Sequence, residues 1–251
     1  MPGTVLVERG DGVLTITLNR PAQKNAVNHD VAVELGAALD LLDNDPALSV
    51  GVLTGAGGTF CAGMDLKAFA RGELPVLDGR GFGGLTRAQV HKPLIAAVEG
   101  WALGGGFELA LACDLIVAAQ DASFGFPEVK RGLVASEGGL LRLPRRIPYH
   151  VALRVLLTGD PLFAPEAAEH GLLAADVTAA GGALEAAHQL AHHIAANAPL
   201  ALAAVKDIVR ADERAAFERQ DPIVARLVAS ADAHEGARSF AERRPPVWHG
   251  R

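Results

Sequence analysis

The sequence has few sulfur-containing and aromatic residues and little net charge of either sign. Of its 251 residues, two are cysteines, two are methionines and 5% are aromatic. Cys61 and Cys113 are too few for a disulfide framework and lie in no metal-binding spacing, so we expect two reduced core residues. The net charge of −6 excludes a broad surface for nucleic acid or for anionic membranes, so local groups must hold any anionic ligand.

Long apolar runs are also missing. No stretch approaches the roughly twenty apolar residues of a membrane span. The first residues, MPGTVLVERGDGVLTITLNRP, lack the basic start and apolar run of a signal peptide. We therefore expect a cytoplasmic protein that does not enter membranes. Its hydrophobic content of 50% is ordinary for a globular protein with a sizeable core.

Motifs for metals and nucleotides are missing too. The stretch TGAGG (54–58) has no GxGxxG leading into a helix, and no GxxxxGK[ST] phosphate loop occurs. His188 and His192 have a spacing that can hold a metal, but no HExxH motif surrounds them, so we predict an ordinary polar helix face. The sequence therefore disfavours a metal enzyme or a nicotinamide enzyme.

What is present is an alternation of strands and helices, which predicts an α/β core with parallel pairing. Residues 4–19 predict a hairpin, and a helix is expected to begin after Asn28 as N-cap. Further strands are predicted at LSVGVLTG, LIAAVEG and DLIVAAQ. Residues 71–87 are rich in glycine and predict a loop, either beside a binding site or on plain surface.

The chain from about Gly181 onward is rich in alanine and predicts helices, with Pro199 and Pro222 at helix starts. We therefore divide the chain into an α/β core over residues 1–195 and a helical module over residues 196–251.

Two glycine-rich stretches, residues 52–69 and 100–114, each follow an apolar strand and lead into a predicted helix start. The first N–H groups of a helix lack intrahelical partners, and glycine lets a ligand approach the backbone. A parallel sheet can bring two such stretches together, so that two amides bind one oxygen in an oxyanion hole.

Two carboxylates accompany these stretches. Glu108 lies three residues after Gly105, and Glu128 follows twenty residues later, directly after Pro127. Two carboxylates beside an oxyanion hole form a general acid/base apparatus for chemistry next to a carbonyl. The alternative is that Glu108 pairs with an arginine and Glu128 is a surface acid; spacing alone leaves both open.

With these residues in place, the sequence resembles the enoyl-CoA hydratase/isomerase family, the crotonase superfamily. The motifs that carry the resemblance run along nearly the whole chain: LNRPAQKNAV, FCAGMDLK, KPLIAAVEGWALGGGFELALACD, ASFGFPEVKRGLV, RLPRRIP and SFAERRPPVWHGR. The resemblance implies an α/β fold built as a spiral of ββα repeats, with a C-terminal helical part used in trimer assembly. It implies a homotrimer or a dimer of trimers, and a coenzyme A thioester as substrate rather than a separate cofactor.

The resemblance also assigns residues. The backbone amides of Met64 and Gly105 would form the oxyanion hole, and Glu108 and Glu128 match the two catalytic glutamates. Substrate-binding positions are then Lys24, Ala62, Met64, Asp65, Leu66, Lys67 and Gly105, with the Ala62 carbonyl meeting the adenine. The CoA phosphates have Arg20, Lys24 and Lys67 as candidate partners.

Because both glutamates are kept, the resemblance favours a hydratase that acts on a trans-2-enoyl-CoA. Glu108 would activate water for the β-carbon and Glu128 would deliver the proton to the α-carbon. Alternatives are a Δ3,Δ2-enoyl-CoA isomerase, a carnitinyl-CoA-dehydratase-like enzyme and, disfavoured by the two acids, a non-catalytic acyl-CoA binder. Glu137 departs from the common pattern: either it is structural at a helix start, or it enters the pocket and selects a polar acyl chain or acts as a third acid.

Overall fold

The computed structural model describes residues 3–210 and 212–248. Its strands are β1 (Val5–Gly10), β2 (Val13–Leu18), β3 (Val50–Gly55), β4 (Val76–Leu77), β5 (Gly81–Phe82), β6 (Leu94–Val98), β7 (Trp101–Leu103), β8 (Leu115–Ala118), β9 (Ser123–Gly125) and β10 (Leu162–Phe163). Its helices are α1 (His29–Asn44), α2 (Leu66–Phe69), α3 (Gly105–Ala112), α4 (Gly139–Arg146), α5 (Tyr149–Thr158), α6 (Ala164–Glu169), α7 (Ala183–Ala195), α8 (Pro199–Arg210), α9 (Glu213–Val228) and α10 (Ala231–Glu242). Short 3-10 helices span Pro21–Gln23 and Pro127–Arg131.

The larger sheet has five strands in the order β1-β2-β3-β6-β8. β1 and β2 form the predicted antiparallel hairpin, and β2, β3, β6 and β8 are parallel neighbours. Asn28 is the N-cap of α1, where its side chain accepts a hydrogen bond from the Val31 N–H at 3.2 Å. The parallel α/β core that the alternating pattern predicts is therefore confirmed.

The chain repeats one pattern: a strand of the large sheet, a strand of a small sheet, then a helical turn. β6 leads into β7 and α3, and β8 leads into β9 and the 3-10 helix Pro127–Arg131. After β3, Cys61 pairs in parallel with Ala102 of β7 before α2 begins. Because the Cys61 segment, β7 and β9 are parallel neighbours, the residues that follow them meet at one edge.

Apolar side chains cover both faces of the large sheet. Leu14, Ile16 and Leu53 are buried on the face toward α1 and α3. On the other face, Val52 and Ile95 pack in one cluster with alanines of α7. Burial of such a side chain contributes about 2 kcal/mol, so the sheet is a rigid base for the edge where the helices begin. Cys61 and Cys113 are free and buried, as expected.

Two local predictions differ from the structure, and one short strand is a feature that the sequence does not predict. Residues 71–87 are not all loop, because β4 and β5 pair antiparallel within them. Pro222 does not begin a helix but lies inside α9, where Gln220 and Asp221 on its N-terminal side are held by Ser136 and Arg87. The short strand β10, which pairs with β9, has no signal in the sequence.

The helices after residue 196 lie against the core through polar contacts. Arg142 of α4 pairs with Glu213 of α9 at 2.8 Å, and Lys206 of α8 pairs with Asp114 at 2.8 Å. The division at residues 195 and 196 stays a prediction. Within residues 3–210 and 212–248, no helix combines the length and apolar character needed to cross a bilayer.

Candidate active site

The two glycine-rich stretches meet at the edge of the small sheet. The Leu103 N–H donates to the Cys61 carbonyl at 3.0 Å, so the start of α3 lies beside the turn that follows Cys61. A Cβ atom added to Gly106 would stand 2.1 Å from the Cys61 oxygen, which no larger residue allows. Glycine at 106 therefore permits the contact that brings the AGMD turn against α3.

Two backbone amides face this junction with no hydrogen-bond partner in the described part of the chain. They belong to Met64, in the AGMD turn, and to Gly105, the first residue of α3. Gly63, which directly precedes Met64, lies beside the Gly105 amide, since a Cβ added to Gly63 would stand 3.3 Å from the Gly105 nitrogen. Free N–H groups at a helix start are suited to bind an oxygen that gains negative charge.

Glu108 is buried, with 4% of its surface exposed. Its Oε1 accepts hydrogen bonds from the Glu137 N–H at 2.7 Å and the Gly139 N–H at 3.0 Å. Neither bond involves an arginine, so the alternative in which Glu108 pairs with an arginine is wrong. The carboxyl is held in place by backbone donors at the start of α4.

Glu128 is carried by the 3-10 helix Pro127–Arg131, which begins at Pro127. Its Oε1 faces Gly104, where an added Cβ would stand 2.9 Å away. Its Oε2 is buried and has no hydrogen-bond partner. A buried carboxyl oxygen without a partner is costly in a purely structural group, so Glu128 is a candidate for a group that acts on a ligand.

The Glu128 carboxyl lies beside Gly104, and the Gly104 carbonyl accepts the backbone N–H of Glu108 at 3.0 Å. Burial raises the pKa of Glu108 well above its ordinary value, and the nearby charge of Glu128 raises it further. Burial also raises the pKa of Glu128, to about 7. Glu128 is therefore able to exchange protons near neutral pH, as acid/base catalysis requires, and the Glu108 carboxyl keeps its proton to a higher pH than an exposed glutamate does.

Glu137 does not cap a helix with its side chain. Its carboxylate pairs with the Arg87 guanidinium at 3.0 Å, so it is not a free third acid. The structure thus places Glu137, just before α4, in an ion pair with the segment that follows β5. Of the two alternatives for Glu137, the structural role agrees better with this ion pair than a role in the pocket does. The structural contact is an ion pair with Arg87, however, and not the helix cap that the sequence predicts.

The residues predicted to bind substrate cluster around the AGMD turn. The Ala62 N–H donates to the Lys24 carbonyl at 3.0 Å. The Asp65 carboxylate caps α2 through the amides of Lys67 and Ala68, and Leu66 and Lys67 are exposed. Asp65 therefore shapes the turn with its side chain and leaves its neighbours to face a ligand.

The three candidate phosphate ligands differ in availability. Arg20 pairs with Asp65 at 2.9 Å and donates to the Ala26 carbonyl, so its guanidinium is already engaged. Lys24 is exposed, and its ammonium lies 5.7 Å from the centre of the Trp101 ring. Among the described residues, neither Lys24 nor Lys67 forms an ion pair. These two lysines remain the candidates.

His188 of α7 shares a hydrogen bond of 2.9 Å between its Nε2 and the Thr15 hydroxyl. Its ring centre lies 6.5 Å from that of His192. No group of three or more metal-ligating side chains occurs within residues 3–210 and 212–248.

Sequence reasoning missed the contacts that support the glutamates. Phe82 lies over Gly105, since a Cβ added to Gly105 would stand 2.5 Å from its ring. Arg87 contacts Glu137, and buried Arg142 donates to the Thr86 carbonyl at 2.7 Å. The Arg87–Glu137 and Thr86–Arg142 pairs lie 50 and 56 residues apart in the chain. None of these contacts follows a spacing rule, so no local signal pointed to them.

The raised pKa of Glu128 predicts a pH-dependent cost in stability. The pKa of Glu128 is about 7 in the folded protein and has its ordinary, lower value in the unfolded chain. The folded protein therefore binds this proton more tightly, and ionisation of the carboxyl lowers the free energy of unfolding. The stability is present in acid and is lost as the pH rises through about 7. We expect Glu128→Gln to raise the free energy of unfolding at pH 8 by about 3 kcal/mol, with no gain at pH 4.

Urea unfolding at the two pH values measures this difference. Glu218→Gln is the matched control, because Glu218 is an exposed side chain on α9 and its replacement should leave both values unchanged. An equal effect of Glu128→Gln at pH 4 and pH 8 would contradict the burial argument.

Comparison with known proteins gives matches along the chain. A sequence profile of the family described as enoyl-CoA hydratase/isomerase matches residues 8–251. A carnitinyl-CoA dehydratase of Proteus mirabilis is 43% identical over 258 positions, covering 98% of each chain. Among solved structures, a carnitinyl-CoA hydratase from Mycobacterium avium is 44% identical with a TM-score of 0.94, and an enoyl-CoA hydratase from Mycobacterium tuberculosis is 56% identical with a TM-score of 0.82. Both structural matches cover 100% of each chain.

Proposed function

Because this chain belongs to the enoyl-CoA hydratase/isomerase family, we propose that it adds water reversibly to the double bond of a trans-2-enoyl-CoA thioester. Membership confirms the resemblance seen in the sequence motifs, and the TM-score of 0.94 confirms the crotonase fold. The relatives are named as hydratases and dehydratases, which are hydro-lyases. The observation that carries the proposal is a buried carboxyl on α3, that of Glu108, together with the half-buried Glu128 carboxyl beside Gly104, close to two unpaired backbone amides.

The amides act on the thioester carbonyl. The N–H groups of Met64 and Gly105 donate to its oxygen, and negative charge moves onto that oxygen when water adds at the β-carbon. The donors are fixed by the AGMD turn and by α3, so they stabilise the enolate-like state more than the ground state. Removal of one such donor typically costs about 3 kcal/mol of barrier.

The glutamates move the protons. Glu108 accepts a proton from water while the hydroxide oxygen bonds to the β-carbon. Glu128 then gives its proton to the α-carbon, the enolate collapses, and the 3-hydroxyacyl-CoA is complete. In the reverse direction Glu128 takes the α-proton and Glu108 protonates the departing hydroxyl. In both directions, the two glutamates together must therefore carry one proton when the reaction starts. The reaction uses no separate cofactor, because the CoA is part of the substrate.

The CoA moiety lies along the AGMD turn in this proposal. The Ala62 carbonyl meets the adenine, the backbone of Asp65 and Leu66 lines the groove, and Lys24 and Lys67 bind phosphates. Support comes from the exposure of both lysines and from the position of the turn beside Gly105. The side chain of Asp65 serves the turn itself, because Arg20 and the α2 amides already engage it.

Assembly into trimers, or into pairs of trimers, through residues 196–251 completes the proposal. Large apolar side chains on α8 and α9 are exposed in the single chain, among them Leu200, Val205, Ile208, Val209 and Ile223. Exposed apolar side chains in this number favour burial against another subunit.

The pH dependence of turnover follows from the pair. Below about pH 7 both carboxyls are protonated and no base is available, so kcat/KM should rise with pH up to about 7. Glu108 is the more buried group and is repelled by Glu128, so we infer that Glu108 holds the single proton of the pair more often than Glu128 does. Hydration starts from the less populated form, in which Glu128 holds that proton, and the share of this form within the singly protonated pair does not change with pH. The alkaline decline then reports the loss of that last proton.

Initial rates between pH 5 and 10, on crotonyl-CoA and on 3-hydroxybutyryl-CoA, measure this profile. The addition of water neither consumes nor releases a proton overall, so the equilibrium constant does not depend on pH. The kcat/KM profiles for the two substrates should therefore have the same shape. A kcat/KM that falls steadily from pH 5 to pH 8 would contradict the assignment.

A second candidate, dehydration of a carnitinyl-CoA thioester, is favoured by the relative of 43% identity that bears this name. It uses the same pair of glutamates in the reverse direction. The test compares kcat/KM for crotonyl-CoA and for the CoA thioesters of carnitine and its dehydration product. A preference for crotonyl-CoA supports the first candidate, and a preference for the quaternary ammonium substrates supports the second. Turnover of neither would contradict both.

A further inference from the structure

The Glu137 carboxylate accepts several hydrogen bonds from the segment of residues 81–87. It accepts hydrogen bonds from the Phe82 N–H at 3.1 Å and from the Thr86 hydroxyl at 2.9 Å. The Arg87 guanidinium adds two more, from Nε at 3.2 Å and from Nη2 at 3.0 Å. Four donors from one short segment therefore converge on a single side chain, which is more than a surface ion pair makes.

The backbone of the same residue holds Glu108. The Glu137 N–H donates to the Glu108 Oε1 at 2.7 Å, and the Gly139 N–H donates to the same oxygen at 3.0 Å. A shift of residue 137 therefore moves one of the two donors that position the Glu108 carboxyl. The side chain and the backbone of Glu137 thus link the 81–87 segment to that carboxyl.

The 81–87 segment also forms a wall of the site. The Phe82 ring is 5% exposed and packs on Gly105, whose N–H is one of the proposed oxyanion-hole donors. Since the Phe82 N–H is anchored by Glu137, the same carboxylate sets where this ring stands. The position of the ring bounds the space beside the thioester carbonyl.

Arg87 extends the link to the C-terminal helices. Its Nη1 and Nη2 donate to the Asp221 carboxylate of α9 at 2.8 and 3.0 Å, and its guanidinium carbon lies 4.5 Å from the centre of the Phe217 ring. Arg87 is therefore held on two sides, which limits the orientations open to Glu137.

We propose that Glu137 is a positioning residue for hydration, which orders the 81–87 segment against Gly105 and holds the Glu108 carboxyl in its reactive place. The proposal rests on the proposed function. It does not make Glu137 an acid or base in the reaction, because its carboxylate is engaged by Arg87. It predicts that charge and packing at residue 137 control turnover more than substrate affinity.

The first test is a double-mutant cycle on hydration of crotonyl-CoA. Glu137→Gln keeps the size of the side chain but loses the ion pair, and Arg87→Met removes the partner. We expect each to lower kcat by about tenfold through misplaced groups, with KM changed by less than about threefold because the CoA contacts lie elsewhere. The double variant should fall no further than the worse single variant, since both act through one pair.

Asp40→Asn is the matched control. Asp40 pairs with Arg80 at 2.7 Å, directly before the 81–87 segment, but it touches neither Glu137 nor Glu108. It should keep wild-type kcat and KM.

The pH dependence of kcat/KM is a second test, because it should not shift if Glu137 only stabilises the fold. Burial is the largest cause that raises the pKa of Glu108, and the charges of Glu128 and Glu137 add to it. From α4, the neighbouring helix, the charged groups are Arg142, which donates to the Glu137 carbonyl, Arg146, which donates to the Cys113 carbonyl, and exposed Arg145. The strands β7 and β8 beside α3 carry no charged residue.

Opposite shifts are therefore expected in the two variants. Glu137→Gln removes a negative charge and leaves Arg87, so the pKa of Glu108 falls and the alkaline limb of kcat/KM moves to lower pH. Arg87→Met leaves Glu137 uncompensated, so the limb moves to higher pH.

Hydrogen exchange, measured on the protein alone, separates this inference from the proposed function. Peptides that cover residues 81–88 should exchange faster in Glu137→Gln and in Arg87→Met than in wild type or Asp40→Asn. Unchanged exchange would overturn the inference whatever the activity, and so would additive losses in kcat or a pH limb that does not move. A wild type that leaves every enoyl-CoA unchanged would instead contradict the proposed function.

Discussion

Glu108→Gln should lower kcat for hydration of crotonyl-CoA by about a thousandfold, the middle of the usual range for loss of a general base. The amide has nearly the shape of the carboxyl, and its oxygen still accepts the Glu137 and Gly139 N–H groups that now hold Oε1. What it loses is the ability to take a proton from water. The variant should therefore fold and bind the thioester while failing in the chemical step.

Initial rates and acyl-CoA affinity, measured side by side, test this expectation. The binding constant for a saturated acyl-CoA should stay within about threefold of wild type, because uniform binding does not depend on the base. A variant that keeps wild-type turnover would show that Glu108 is not the base. Glu166→Gln, a change at an exposed glutamate of α6 that pairs with Arg154, is a control for the substitution itself.

Glu128→Gln should abolish exchange of the α-protons of butyryl-CoA with deuterated water, with a loss of about a thousandfold. Butyryl-CoA has no double bond, so water cannot add to it, and exchange reports only proton transfer at the α-carbon. The Glu128 oxygen that has no partner, Oε2, is the atom available for this transfer. Glu108→Gln should keep most of the exchange, because the β-carbon does not react.

The pattern across the two variants decides the roles. Both variants should lose hydration, and only Glu128→Gln should lose α-proton exchange, as followed by proton NMR. Loss of exchange in Glu108→Gln with retention in Glu128→Gln would reverse the assignment of the two acids. Loss in both would indicate that the carboxyls act as one unit.

Much of the fold follows from local signals in the sequence. The β1–β2 hairpin is predicted by two β-branched runs around a tight turn, and α1 by the Asn28 cap and its apolar spacing. The meeting of the two glycine-rich stretches follows from glycines after apolar strands, because only a residue without a Cβ permits the approach of α3 to the Cys61 carbonyl.

Other features depend on contacts between distant residues, which leave no periodic signal. The Glu137–Arg87–Asp221 chain joins three segments of the fold, and each residue alone is typical of a solvated surface. Pro222 predicts a helix start by its own preference, yet it lies inside α9 next to the anchored Gln220 and Asp221. Tertiary contacts decide these positions, so only the structure reveals them.

The proton chemistry of the two glutamates can be predicted from the sequence only in part. Composition and spacing identify Glu108 and Glu128 as candidates, but they leave open whether each carboxyl is buried or exposed. Burial among backbone donors at the start of α4, and beside Gly104, raises both pKa values. That burial depends on how the ββα repeats bring three segments to one edge of the small sheet.

The central claim is that this site adds water to an enoyl thioester. The most direct measurement is the initial rate at which the wild-type protein removes the conjugated enoyl-thioester absorbance of crotonyl-CoA. The account predicts rapid, saturable loss with 3-hydroxybutyryl-CoA as the product. Tight binding of crotonyl-CoA without any loss of absorbance would contradict it.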